Sequence, residues 1–212
     1  MNPERAEITS ALSAPPAPPS ANAGGMPPVP LDELIAELNS IPEKYFGFET
    51  VCDCLHTHPV EERSLQPYLI FHPNHPARNL VFKNDLFEML VSCWHIGQAS
   101  PVQSFPERTC WLVLFTGSLR LQSFRVVEEN ENHCRLAQAD TFELKESWPA
   151  VVSPAEPVHQ VLNVRQFAQR AVSLHIYSPP VAKGFVYSLK ENRRTSMRPT
   201  YDSRHGWRDA PG

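Results

Sequence analysis

The chain has 212 residues, 42% of them hydrophobic and 20% charged, which suits one domain with a real core plus an additional segment. A formal charge of 19 − 23 = −4, with no run of Lys or Arg, argues against a nucleic-acid partner, and no apolar stretch approaches the length of a membrane span. Met1 to Gly25 has neither a basic start nor an apolar core and does not read as a signal peptide; the odd count of five cysteines, without framework spacing, points to free thiols in a reducing compartment, the cytoplasm.

Residues 1–30 are rich in Pro, Ala and Ser and contain no aromatic side chain. Such a segment buries too little apolar surface to offset its ordering entropy, so a disordered tail is expected. Its prolines leave a protein partner open, although a plain linker is the simpler reading. Folding is expected to begin at Leu31, because Leu31, Leu34, Ile35 and Leu38 recur at helical spacing behind Pro30, with Asp32 and Glu33 in the first turn. A second helical piece is expected between Glu43 and Leu55. From Asn79 the period changes, and Leu86–Trp94 is a dense apolar run. Trp111–Phe115 and Leu119–Val127 flank Thr116-Gly117-Ser118, which reads as a hairpin. Further strands are expected at Thr141–Lys145, Ala150–Ser153, Val158–Val164, Ala171–Ser178 and Gly184–Leu189, with Pro179-Pro180 ending the fourth of these because proline offers no ladder donor. Short, closely spaced strands divided by turn residues indicate a mainly β sandwich or barrel. The domain is expected over residues 31–205. The polar stretch from Arg193 onward reads as partly ordered, with 206–212 as a C-terminal tail.

Two spaced frames carry chemistry. In the first, Gly97 is followed by five residues, then Gln103-Ser104-Phe105, four residues, Cys110, six residues and Gly117. The second runs Pro154-Ala155-Glu156-Pro157-Val158-His159-Gln160-Val161-Leu162-Asn163. These resemble the two sequence blocks of cupins, Gly-x5-His-x-His-x3–4-Glu-x6-Gly and Pro-x-Gly-x-x-His-x-x-x-Asn. The Cys in place of the block's Glu is similar to cysteine dioxygenases. Arg78-Asn79-Leu80-Val81, Cys93-Trp94 with Gly97-Gln98-Ala99-Ser100-Pro101, and Ser173-Leu174-His175-Ile176-Tyr177-Ser178-Pro179-Pro180 are similar to three further stretches of the cysteine dioxygenase type I family. The resemblance covers about residues 31–205.

The resemblance implies a cupin: a small β-barrel or jelly-roll with helices at its N-terminal side. It implies an oxidoreductase of cysteine metabolism that converts cysteine and oxygen to cysteine sulfinic acid at a non-haem Fe(II) held by three neutral imidazoles. The positions matching those ligands are Gln103, Phe105 and His159. A Gln amide oxygen is a poor, neutral ligand for Fe(II), Phe has no lone pair, and a single His cannot hold the ion at useful affinity. His95 lies before Gly97, on the wrong side of the frame. Fe(II) is therefore the cofactor that the family implies and that this sequence is expected not to bind in the standard site. Arg78 matches the residue that pairs with the substrate carboxylate, where a guanidinium fork binds bidentately. Cys110 and Tyr177 match a pair that forms a thioether crosslink in many members. His175 matches a group that orients the tyrosine hydroxyl. The expected function is that of a degenerate member that still binds a small thiol or amino acid. An active thiol dioxygenase with an altered iron site and a non-enzymatic interaction module are the alternatives. Separately, Cys52, Cys54, His56 and His58 offer four borderline ligands at alternating spacing, with i, i+4 pairs if helical. Structural zinc sites usually draw wider-spaced ligands from two elements, so a chance cluster is the simpler reading.

Overall fold

The structure is a computed structural model and describes residues 26–131, 133–144, 149–155 and 157–208. Most of the expected N-terminal tail and residues 209–212 lie outside the described residues. Val29 pairs with Val60 in a parallel bridge, so ordered chain begins just ahead of Leu31.

Helix α1 spans Leu31–Ser40 and α2 spans Phe48–Thr57, with a 3-10 turn at Glu43–Tyr45 between them. The 3.6-residue period of α1 turns Leu31, Leu34 and Leu38 inward, and each buried leucine contributes about 1.5–3 kcal/mol. No side chain of the helix itself caps its start; instead the Leu31 N–H donates to Ser64 Oγ at 3.1 Å.

Strands follow at Ala77–Lys83 (β1), Glu88–Trp94 (β2), Val102–Ser104 (β3), Thr109–Thr116 (β4), Arg120–Glu129 (β5) and Cys134–Glu143 (β6). Then come Ala150–Val152 (β7), His159–Leu162 (β8), Ala171–Ser178 (β9), Gly184–Ser188 (β10), Arg193–Met197 (β11), Ser203–Arg204 (β12) and Trp207–Arg208 (β13). They form two sheets, one ordered β13-β12-β1-β2-β9-β4-β7 and one ordered β11-β10-β3-β8-β5-β6. The mainly β architecture with helices at the N-terminal side is as the sequence indicates.

Two expectations change. Thr116-Gly117-Ser118 is not a hairpin, since β4 pairs with β7 and β9 while β5 pairs with β6 and β8. The segment instead carries the chain from one sheet to the other. Gly117 has φ +83, and a Cβ there would lie 2.2 Å from the Arg170 carbonyl oxygen, so the corner demands glycine. The stretch from Arg193 is also not a loose tail: β11 pairs along its length with β10, and β12 adds in parallel to β1.

The core has two layers. Strand β2 is buried at every position because the helices cover one face of its sheet and the second sheet covers the other. Met89, Val91 and Cys93 pack with Leu34, Leu38 and Val51 in the helix-side cluster. Leu90 and Trp94 pack with Phe105, Cys110 and Tyr177 in the cluster between the sheets. Strand β9 divides in the same way, with Leu174 and Ile176 in the first cluster and Tyr177 in the second. The period-2 alternation of a strand thus places Ser173, His175 and Tyr177 on one face, toward the barrel interior.

Candidate functional site

A cavity of about 660 Å³ opens between the sheets, lined among others by Arg78, Trp94, Gln103, His159, His175 and Tyr177. Strands β1, β2, β9 and β4 supply one wall. Tyr177 lies directly opposite Cys110 on β4 and opposite Glu88 on β2, so the three share a row and a face. The Cys110 thiol lies 4.0 Å from the Trp111 carbonyl. Burial pushes the Cys110 thiol up to about 12. Burial, then the Cys110 charge, raises Tyr177 well above its ordinary value, with Arg78 opposing. Both groups therefore stay protonated at neutral pH.

A polar chain runs behind this row. Trp94 Nε1–H donates to Ser173 Oγ at 2.9 Å. Ser173 Oγ, which accepts from the indole, is also hydrogen-bonded to His175 Nε2 at 2.9 Å, and His175 Nδ1 faces the Tyr177 hydroxyl at 3.5 Å; the ring tautomer sets the direction of both bonds. Burial first, then the Arg78 and His159 charges, pulls the His175 pKa down to about 3. His175 is thus a neutral positioning group and a very weak base.

Arg78 is held by its backbone and stem. Its N–H donates to Asp202 Oδ2 at 2.8 Å and its Nε–H to the Thr200 carbonyl at 3.3 Å. Its Nη2 is buried and has no hydrogen-bond partner among the described residues. The guanidinium carbon sits 5.8 Å from the Tyr177 ring centroid, which aims an unsatisfied, charged donor at the cavity that both residues line.

The opposite wall comes from β3 and β8. Gln103 and His159 are register partners and both are buried. His159 Nδ1–H donates to the Pro157 carbonyl at 2.8 Å, leaving Nε2 with its lone pair. Burial lowers the His159 pKa, and the bond to Pro157 partly offsets this. Phe105, just beyond β3, turns its ring edge-on to Tyr177 at 5.3 Å and to His159 at 6.3 Å. Gly184 makes room for that ring, since a Cβ there would lie 2.6 Å from Phe105 Cδ1.

The structure therefore gathers Arg78, Gln103, His159, His175 and Tyr177 around one cavity, with Phe105 packed against Tyr177 and His159 and Cys110 paired with Tyr177 behind its wall. It leaves His95 outside, with its ring packed 5.2 Å from that of Phe71. The Cys52–His58 group does not converge. Cys54 Sγ stands 4.0 Å from His58 Nδ1, while burial raises both Cys52 and Cys54 to about 11. All five cysteines are free thiols. Sequence reasoning quoted Trp94 and Ser173 within the stretches similar to the family but gave neither a role at the site. It missed Glu88, buried with Oε2 accepting from Lys83 Nζ at 3.0 Å and from the Tyr201 hydroxyl at 2.7 Å. A further group, His72, His75 and Asp202, brings its possible ligand atoms within 4.8 Å of one another at the cavity mouth.

Two curled sheets around a cavity lined by Arg78, His159, His175 and Tyr177 are the architecture of a cupin. The model of the family "Cysteine dioxygenase type I" matches residues 27–190, and the chain belongs to that family. Cysteine dioxygenase type 1 of Rattus norvegicus is 28% identical over 133 residues, 62% of this chain and 65% of that protein. The Danio rerio protein of the same name is 25% identical over 185 residues, 86% of this chain and 91% of that one. The alignment with the rat protein thus spans less than two thirds of that protein's length. Among solved structures, a double-stranded β-helix protein from Klebsiella pneumoniae aligns at 17% identity and TM-score 0.45, over 56% of this chain and 86% of that one. No helix among the described residues is long and apolar enough to cross a membrane.

The family works with non-haem iron, so the residues around the cavity can be tested against a three-imidazole centre. They do not fit one. The set offers one imidazole lone pair at His159 and an amide at Gln103, while the Phe105 ring occupies space beside His159 without a lone pair.

Proposed function

We propose that this chain is a cysteine-dioxygenase-like cupin that keeps the recognition half of the site and has given up the three-imidazole iron position. On this reading Gln103 and Phe105 stand where the family has histidines, and the cavity binds a small carboxylate-bearing thiol or amino acid without oxidising it. The observation that carries the reading is the buried, unpartnered Nη2 of Arg78. An unsatisfied buried donor costs about 1–3 kcal/mol, more for a charged group, and a carboxylate in the cavity would satisfy it. Tyr177 supplies a second, protonated donor, held by the His175 chain.

Calorimetric titration with L-cysteine and its amide tests the proposal. The acid is expected to bind and the amide to bind at least ~10-fold more weakly, in line with the ~1.5–3 kcal/mol of a charge-assisted hydrogen bond. Arg78→Ala should erase the difference. Equal binding of both compounds, or binding unchanged by Arg78→Ala, would count against it.

The second reading, an active thiol dioxygenase with an altered iron site, draws on one feature. The His159 Nδ1–H bond to Pro157 is the outer hydrogen bond that a metal-ligating histidine characteristically makes. Anaerobic reconstitution with Fe(II), desalting and iron analysis separate the two. Stoichiometric iron that depends on His159, together with cysteine-dependent oxygen uptake, would establish the second reading and sink the first.

A further inference from the structure

We propose that His72, His75 and Asp202 form a site for a divalent transition-metal ion at the mouth of the cavity, distinct from the Gln103–His159 wall. This does not rest on the ligand-binding reading above.

The three side chains come from two connections that the fold brings together. His72 and His75 belong to the segment leading into β1, and Asp202 immediately precedes β12, which pairs with β1. Their possible ligand atoms lie within 4.8 Å of one another. His75 Nδ1–H donates to the Pro76 carbonyl at 3.1 Å. In a neutral ring this leaves the lone pair on Nε2, which stands 3.6 Å from Asp202 Oδ1. In that state two acceptors face each other, and either a proton on Nε2 or a metal cation between them resolves the conflict. With metal–ligand bonds of about 2.1 Å, the observed 3.6 Å separation corresponds to a ligand–metal–ligand angle of about 120°.

The outer contacts are those of a metal site. A ligating histidine gives its other N–H to a backbone carbonyl, and a ligating carboxylate is itself hydrogen-bonded. His75 does the first through Pro76, and Asp202 does the second by accepting the Arg78 backbone N–H on Oδ2 at 2.8 Å. The Arg78 side chain turns away to Thr200, so its backbone, rather than its charge, meets the carboxylate.

His72 is the third arm. Its ring stacks on that of His75 at 3.7 Å and 15°, and its Nδ1 accepts the Asn74 N–H at 3.2 Å. Parallel rings cannot both hold one ion in their planes. Loading therefore requires His72 to rotate out of the stack and give up a solvent-exposed hydrogen bond. Two imidazoles and one carboxylate suit first-row divalent ions and leave open coordination positions. Because His75 and Asp202 line the cavity, those positions would face its contents.

The test uses the full chain with no affinity tag, titrated with Zn(II) by calorimetry and with Co(II) by visible absorption. One equivalent of either ion is expected to bind. His75→Ala and Asp202→Asn should each weaken binding by more than about 100-fold, beyond the 10–100-fold that outer-shell partners cost. His159→Ala and the triple change Cys52→Ser, Cys54→Ser, His58→Ala should leave it intact. The His75 side chain is half exposed, so His75→Ala is not expected to disturb folding, which a urea midpoint checks. Failure to bind one equivalent overturns the proposal. So does binding that survives His75→Ala, or binding that the triple change or His159→Ala abolishes.

Discussion

The two walls of the cavity differ in the side chains they present. The wall from β1, β2, β9 and β4 presents Arg78, Cys110, His175 and Tyr177, with Cys110 and Tyr177 in one strand row and His175 hydrogen-bonded to Tyr177. The wall from β3 and β8 presents Gln103 and His159, with Phe105 packed against it as core. On the proposed reading the first wall recognises a ligand and the second has apolar packing in place of ligand chemistry, so recognition and metal chemistry would fall on different sheets.

The strongest way to break that contrast is to rebuild the second wall. The double change Gln103→His, Phe105→His should confer stoichiometric Fe(II) binding, measured by metal analysis after anaerobic loading, where the native chain holds none in this position. An imidazole is smaller than a phenyl ring, so the space beside Gly184 accepts it. No gain of iron in the folded double variant would show that the Gln103–His159 wall differs from a metal site by more than its donors.

The next effect measures how far Phe105 has become core. Phe105 is 3% exposed, and Phe105→Ala should cost about 3–5 kcal/mol, read from urea unfolding. A loss below about 1 kcal/mol would mean that the ring fills a site the protein does not need filled.

The first wall is probed by acid. In the unfolded chain His175 titrates near 6.5, and in the fold it is pulled down to about 3. Between those values the unfolded state binds the extra proton. Stability is therefore complete above about pH 6.5 and falls by ~1.4 kcal/mol per pH unit as pH drops toward 3. His159, also lowered by burial, adds to the slope in the same direction. His175→Gln should flatten part of the dependence of the urea midpoint between pH 7 and pH 5; an unchanged slope would contradict a buried neutral imidazole. The smallest expected signal is a null one. Intact mass should show no two-hydrogen deficit, because the thioether between Cys110 and Tyr177 needs iron and oxygen chemistry; a reproducible deficit would argue that metal still binds.

Much of the fold was legible. The leucine spacing of α1 and the apolar runs of β2 and β9 stand where periodicity puts them. The turn at Gly117 was misassigned because a glycine corner looks the same locally whether the chain returns to its own sheet or crosses to the other. Strand β11 and most of β6 escaped because their residues are largely exposed or half-buried and lack a strong alternation of apolar side chains. Of the residues around the cavity, the two spaced frames singled out Gln103, Phe105, Cys110 and His159, and the stretches similar to the family singled out Arg78, His175 and Tyr177. The His72–His75–Asp202 group was not legible, since its carboxylate comes from a segment that reads only as a polar end.

The sequence by itself determined which donor atoms exist. A glutamine and a phenylalanine cannot become imidazoles in any fold, so the chemistry missing from the second wall is a local property of two residues. Tertiary structure decided where the remaining groups meet. Strand register set Cys110 across from Tyr177, the curl of two sheets brought Phe105 against His159, and the pairing of β12 with β1 carried Asp202 to His75. Such contacts depend on long-range pairing and packing, which no window of the chain encodes.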